Sequence, residues 1–183
     1  MIALRRNIIL IGCGDHYIKR YHNVLEELEV SISLLVDLQA RKKEIQGFFK
    51  GKTLKPDSFL FLEEIYRNYI TPEEIDIFIS QSVDIKKAEG IMLCIEPKAR
   101  KYYTLWAAQR KLPIFMDKPI SAFNGIENIG SLLDDYEEMA KAIEKAKIDV
   151  VVSCERRAHG GYKWVKEYLE QLIKDQQVPI TSV

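Results

Sequence analysis

Short apolar runs rich in β-branched residues recur along the chain, at about 7–12, 30–36, 90–95, 113–116 and 148–153, with a weaker one at 59–62. Segments with apolar residues at helical spacing separate them. Residues 18–28 place Val24, Leu25 and Leu28 on one face, and 98–111 place Tyr102, Leu105, Trp106 and Gln109 together. Residues 134–146 run from acids to lysines, the order that a helix dipole favours. Strands alternating with helices through short loops specify a mostly parallel sheet covered on both faces. The expected fold class is therefore α/β, a Rossmann-type doubly wound sheet.

Two places are less regular. Thr71-Pro72-Glu73-Glu74 reads as a capping box with proline at the first helical position, and Ile75, Phe78 and Ile79 then share a face. The same stretch, Ile-Asp-Ile-Phe-Ile-Ser, also alternates as a strand would. Residues 51–59 read as an exposed loop. After the run at 148–153, a helix over about 161–174 carries Tyr162, Val165, Tyr168, Leu169 and Leu172 on an apolar stripe. The residues Val-Pro-Ile-Thr-Ser-Val then begin what reads as another strand. The expected organisation is a nucleotide-binding domain over 1–155, followed at 156–183 by an interdomain helix and the first strand of a truncated second domain.

The 183 residues are 47% hydrophobic, enough for one full core plus a fragment. Lys+Arg and Asp+Glu are both 27. That balance argues against a nucleic-acid partner or an anionic membrane surface. No run reaches membrane-spanning length, and the N-terminal apolar run is too short for a secretion signal. Cys13, Cys94 and Cys154 are far apart, with no metal-ligand spacing, so the expectation is three reduced thiols in a cytoplasmic protein and no metal site.

The stretch Ile-Ile-Leu-Ile-Gly-Cys-Gly-Asp-His-Tyr (8–17) runs from a strand into a turn. In a βα unit the first glycine makes the tight turn and the second admits a pyrophosphate to the backbone. A third small residue lets the helix approach the strand. Gly12 and Gly14 fill the first two positions, whereas Tyr17 occupies the third. Either the first helix starts later, or 15–22 form a longer turn whose His16, Lys19 and Arg20 help hold phosphates. The next strand ends at Asp37, where a carboxylate accepts ribose hydroxyls and repels a 2′-phosphate. NAD is therefore favoured over NADP, although Arg41 and Lys42 could accommodate a phosphate.

Residues 91–121 carry a second constellation. One strand ends in Glu96-Pro97, a helix follows, and another strand ends in Asp117-Lys118-Pro119. This pattern resembles the glucose–fructose oxidoreductase / inositol dehydrogenase / MocA-type (Gfo/Idh/MocA) family, in which the fourth strand ends in a Thr-Pro-Asn turn and the fifth in Glu-Lys-Pro. Residues 12–22 resemble a variant of that family's first turn, and 154–169 resemble its Arg-Arg segment before the interdomain helix. The departures are Glu96 for Thr, Lys98 for Asn, Lys101 for His and Asp117 for Glu.

The resemblance implies an NAD-dependent oxidoreductase acting on CH–OH groups of a sugar, cyclitol or related small molecule, present here as its nucleotide-binding part and inactive alone. Lys118 is the implied catalytic residue, donating to the substrate oxygen, and its bond to Pro119 is expected to be cis. Gly12, Cys13, Gly14, Asp15, His16, Asp37, Arg41, Glu96, Pro97, Asp117, Lys118 and Pro119 are the implied cofactor contacts. Arg156, Arg157 and His159 are candidates to face the substrate cleft. A homo-oligomer is a further expectation. The alternatives are a non-catalytic Rossmann module that binds a nucleotide, and a structural subunit that binds a protein through helix 161–174.

Overall fold

The structure is a computed structural model that describes residues 6–15, 17–122, 129–154 and 160–176. Six strands form one sheet: β1 (Asn7–Ile11), β2 (Ser31–Leu38), β3 (Ser58–Leu62), β4 (Gly90–Leu93), β5 (Ile114–Asp117) and β6 (Val150–Ser153). Their order is β3-β2-β1-β4-β5-β6. The pairings β1–β2, β1–β4, β2–β3 and β4–β5 are all parallel. The strand order reverses between β1 and β4, and this is where an open α/β sheet leaves a crevice at the carboxyl ends of its strands.

The apolar runs are buried because the sheet is covered twice. On one face Ile9, Ile11, Leu34, Val36, Ile91 and Leu93 pack together with helices α3 (Pro72–Ser82) and α4 (Pro97–Arg110). On the other, Leu10, Ile32, Leu35 and Met92 meet Tyr17 and the helix α2 (Lys42–Phe49). Neighbouring residues of β1 serve opposite faces, as the period of two requires. A register shift between Ile8 and Ile9 leaves Ser33 as the extra residue of β2, and its hydroxyl donates to Ile8 O at 3.1 Å.

The capping box decides the ambiguous stretch. Thr71 Oγ1 accepts from Glu74 N–H, Glu74 Oε2 accepts from Thr71 N–H, and 72–82 is helical. In α4, Pro97 stands at the first turn, and Lys111 ends the helix in the left-handed region. Helix α2 follows β2. It buries Ile45 and Phe49, a spacing of four that an interior Gly47 obscured.

Contacts divide the chain into Met1–Val152 and Ser153–Val183. Helix α5 (Ile129–Ala146) belongs to the first unit. In the second, α6 (Gly160–Gln176) leaves Trp164, Val165, Tyr168 and Leu169 exposed, with the Trp164 and Tyr168 rings stacked at 5.6 Å. The strand expected after it lies outside the described residues. Among the described residues, no helix is long and apolar enough to cross a membrane.

Candidate functional site

The turn after β1 is fixed by crowding. Gly12 has φ +86°, and a Cβ there would lie 2.6 Å from Ile95 Cγ2 and 2.7 Å from Cys94 O. Only glycine fits both the conformation and the space. Gly14 is different: a Cβ there would make ordinary contact with Cys94 O at 3.7 Å. Its lack of a side chain keeps the outer side of the turn open.

Tyr17 is completely buried. The chain makes room for it with a π-helical turn at Tyr17–Tyr21, and the regular helix α1 (His22–Glu27) starts only after that. The later start is thus the form that the departure at 17 takes. Tyr17 Oη lies 3.2 Å from His22 Nδ1, and the His22 ring meets Phe48 and Phe49 edge-on. Lys19 pairs at 2.7 Å with Asp15. His16 lies outside the described residues. Val24 and Leu28, which share helical spacing with Leu25, are exposed. They flank an apolar groove shared with Phe115 and Val151.

Asp37, at the end of β2, is only 7% exposed. Its Oδ2 accepts from Cys13 N–H at 2.7 Å and from Arg41 Nη1 at 3.0 Å, and its Oδ1 accepts from Leu38 N–H at 2.7 Å. A carboxylate has about four acceptor positions, so a further one remains for an incoming hydroxyl. Arg41 is anchored on three acceptors, since its Nη2 also donates to Cys13 O at 3.0 Å and Glu44 Oε1 at 2.9 Å. Lys42 lies over the Phe61 ring. Burial and the neighbouring Asp37 push the Cys13 thiol up to about 12, and burial pushes Cys94 up to about 12 as well. Both thiols stay protonated at neutral pH and are poor nucleophiles. All three cysteines are free.

A cavity of about 340 Å³ opens over this turn, and Gly12, Gly14, Asp15, Asp37, Arg41 and Glu96 line it. Tyr103 of α4 completes its wall, and Arg67 lies across its mouth, donating to Glu96 Oε1 at 2.8 Å and pairing with Glu64. Cys13 is buried beneath it. Asp117, Lys118 and Pro119 stand at the neighbouring strand end, and Lys118 does not line the cavity. Asp117 is buried, its Oδ1 accepting from Lys118 N–H at 2.9 Å. The Lys118 side chain is exposed and the Lys118–Pro119 peptide is cis. Lys101 is turned to α5, paired with Asp135 at 2.7 Å and Glu138 at 2.6 Å. Arg156, Arg157 and His159 lie outside the described residues. Among the described residues, no group of three or more His, Cys, Asp or Glu could hold a metal ion.

Sequence reasoning missed Arg67 and above all Arg100. In the run Pro-Lys-Ala-Arg-Lys, Arg100 looks like one more surface charge, yet it is 5% exposed. Tyr103 and Trp106 are buried in the core, while Tyr102 meets Tyr69 edge-on.

Solved structures share this architecture. The WlbA dehydrogenase of Bordetella pertussis, in complex with NADH and UDP-GlcNAcA, superposes with a TM-score of 0.63 at 15% identity, over 92% of this chain and 42% of its own. An oxidoreductase from Agrobacterium radiobacter, in complex with NAD+, L-tartaric acid and magnesium, gives 0.62 at 16%, over 92% and 41%. A Gfo/Idh/MocA family oxidoreductase from Vibrio cholerae gives 0.61 at 18%, over 91% and 44%. This chain shares the fold of the corresponding part of these dehydrogenases and oxidoreductases. The chain spans less than half the length of these neighbours. No family sequence model matches it, and no curated protein matches its sequence.

Proposed function

We propose that residues 1–155 are the nucleotide-binding part of an NAD-dependent oxidoreductase acting on a hydroxyl of a small polar molecule such as a sugar, cyclitol or hydroxy acid. The observation that carries this reading is Asp37, a buried carboxylate at the end of β2, tied to the glycine turn through Cys13 N–H. Its remaining acceptor position suits a hydroxyl of an adenine ribose. The open side of the Gly12–Asp15 turn suits the pyrophosphate. NAD is preferred to NADP because a 2′-phosphate would meet Asp37 and Glu44, while Arg41 is already committed to both. The neighbours bound to NADH or NAD+ support the same cofactor.

Nicotinamide held near Glu96 and Lys118 would supply the hydride acceptor. Pro97 fixes the first turn of α4 there, and Asp117 orients the Lys118 backbone. The Lys118 ammonium would donate to the substrate oxygen and stabilise the alkoxide character that develops as its hydroxyl proton is withdrawn, before the hydride passes to the nicotinamide. Arg156, Arg157 and His159 would face the substrate. Residues 156–183 would lead into a second domain that supplies the proton acceptor. A cytoplasmic setting suits a protein with three free thiols.

Calorimetric titration tests the reading. NADH should bind more tightly than NADPH, and Asp37→Ala should weaken NADH by about 1–3 kcal/mol, the range for losing hydrogen bonds to a charged group. Unchanged affinity in the variant would refute the site. The second reading, a non-catalytic nucleotide-binding module, is favoured by the engagement of Lys101 with α5 and by Glu96 being paired with Arg67. Steady hydride transfer by a longer chain, lost in Lys118→Ala, would exclude it.

A further inference from the structure

Arg100 projects from the first turns of α4 into the space beneath two strand ends. Its Nε donates to Ile95 O at 3.0 Å and its Nη2 to the same oxygen at 2.8 Å. Its Nη1 donates to both Asp117 O and Pro119 O. One guanidinium therefore holds the chain just beyond β4 and grips β5's exit on either side of Lys118. These carbonyls lie where the sheet ladder has run out, and a buried carbonyl without a donor is costly. A planar fork with five donors can satisfy all three from one position, and an ammonium cannot.

A buried guanidinium is an expensive way to fill a core. Burial pulls its pKa below the ordinary arginine value, and the nearby Asp117 only partly opposes this. An aliphatic side chain would pack there with no charge to desolvate. What an aliphatic residue cannot do is fix the carbonyls before and after Lys118 relative to Ile95, whose side chain lies against Gly12.

We infer that Arg100 is a positioning residue for Lys118: it sets where the ammonium stands relative to the nicotinamide end of the cleft by clamping Ile95, Asp117 and Pro119. This rests on the proposed cofactor reading. The adenosine end is held separately, by Asp37, Cys13 and Arg41. The inference thus separates two ligands, NADH and ADP-ribose, which lacks the nicotinamide.

The test compares wild type, Arg100→Met and Arg100→Lys. NADH and ADP-ribose affinities are measured by calorimetry, and hydrogen exchange is followed at the Lys118 and Ile11 amides. In wild type, NADH should bind more tightly than ADP-ribose. In both variants ADP-ribose should stay within about twofold, as for separated sites. NADH should fall about tenfold, the scale of hydrogen bonds to a charged group. Lys should fail to rescue, and the Lys118 amide should exchange faster while Ile11 does not. An unchanged NADH to ADP-ribose ratio in the variants would overturn the inference, as would unchanged exchange at Lys118. If wild type binds neither ligand, the cofactor reading fails, and the exchange at Lys118 alone decides whether Arg100 orders that strand end. If the Met variant does not fold, the Lys variant carries the same comparisons.

Discussion

The two ends of the cleft are built differently. At the β1–β2 end, the ligand-facing groups are themselves the packing: Gly12 is wedged against Ile95 and Cys94, and Asp37 is sewn to the turn by Cys13 N–H and Arg41. At the β5 end, the functional candidate Lys118 is exposed and its order comes from beneath, through Arg100. The first end is complete within one unit. At the second, Lys118 is exposed. Preorganisation is thus spent on the adenosine end, where every nucleotide would present the same groups.

The sharpest way to break this contrast is Gly12→Ala. A Cβ there meets backbone at 2.7 Å in a conformation that alanine avoids. Overpacking costs about 1–3 kcal/mol and the left-handed backbone about 1–2 more, so urea denaturation should show a loss of several kcal/mol together with loss of NADH binding. Next comes Asp37→Asn. The amide keeps the shape but leaves Arg41 without its buried counter-charge, and stability should fall by about 1–3 kcal/mol in the same assay.

A pH series sharpens the contrast further. His22, buried against Tyr17, Phe48 and Phe49, has no partner for Nε2 among the described residues. Its pKa lies below the ordinary value, first through burial and then through Lys52, with Glu26 opposing. The folded protein therefore binds this proton less readily than the unfolded chain. The sign follows: His22's contribution is whole above the unfolded pKa of 6.5 and is lost as pH falls below it. The loss has a limiting slope of about 1.4 kcal/mol per pH unit for one proton. Thermal melts of His22→Phe should lack this component, and a wild-type midpoint that is flat from pH 7 to 5 would contradict it. The smallest effect belongs to Lys118→Ala. Its stability should stay within about 0.5 kcal/mol of wild type, since the side chain is exposed, although hydride transfer by a longer chain should vanish.

Much of this was legible because parallel strands are buried on both faces and advertise themselves as continuous apolar runs. Thr71 and Glu74 announced α3 through a purely local exchange of hydrogen bonds. Asp37 was legible by position, but its bond to Cys13 joins residues from different strands, and no local pattern records it. Arg100 was illegible for the same reason, since its acceptors lie outside its own helix, and so was the reach of Arg67 to Glu96. The apolar spacing of Val24, Leu25 and Leu28 did not reveal that Val24 and Leu28 are exposed.

The burial of Cys13 has a consequence for chemistry in solution. The exposed Cys154 is open to a thiol reagent in the native protein, while Cys13 is sealed in the floor of the nucleotide turn with its proton retained. Modification of Cys13 must wait for the turn to open. Its lag behind Cys154 is a clock on that opening, and a nucleotide resting on the turn should slow the clock in proportion to how tightly it binds.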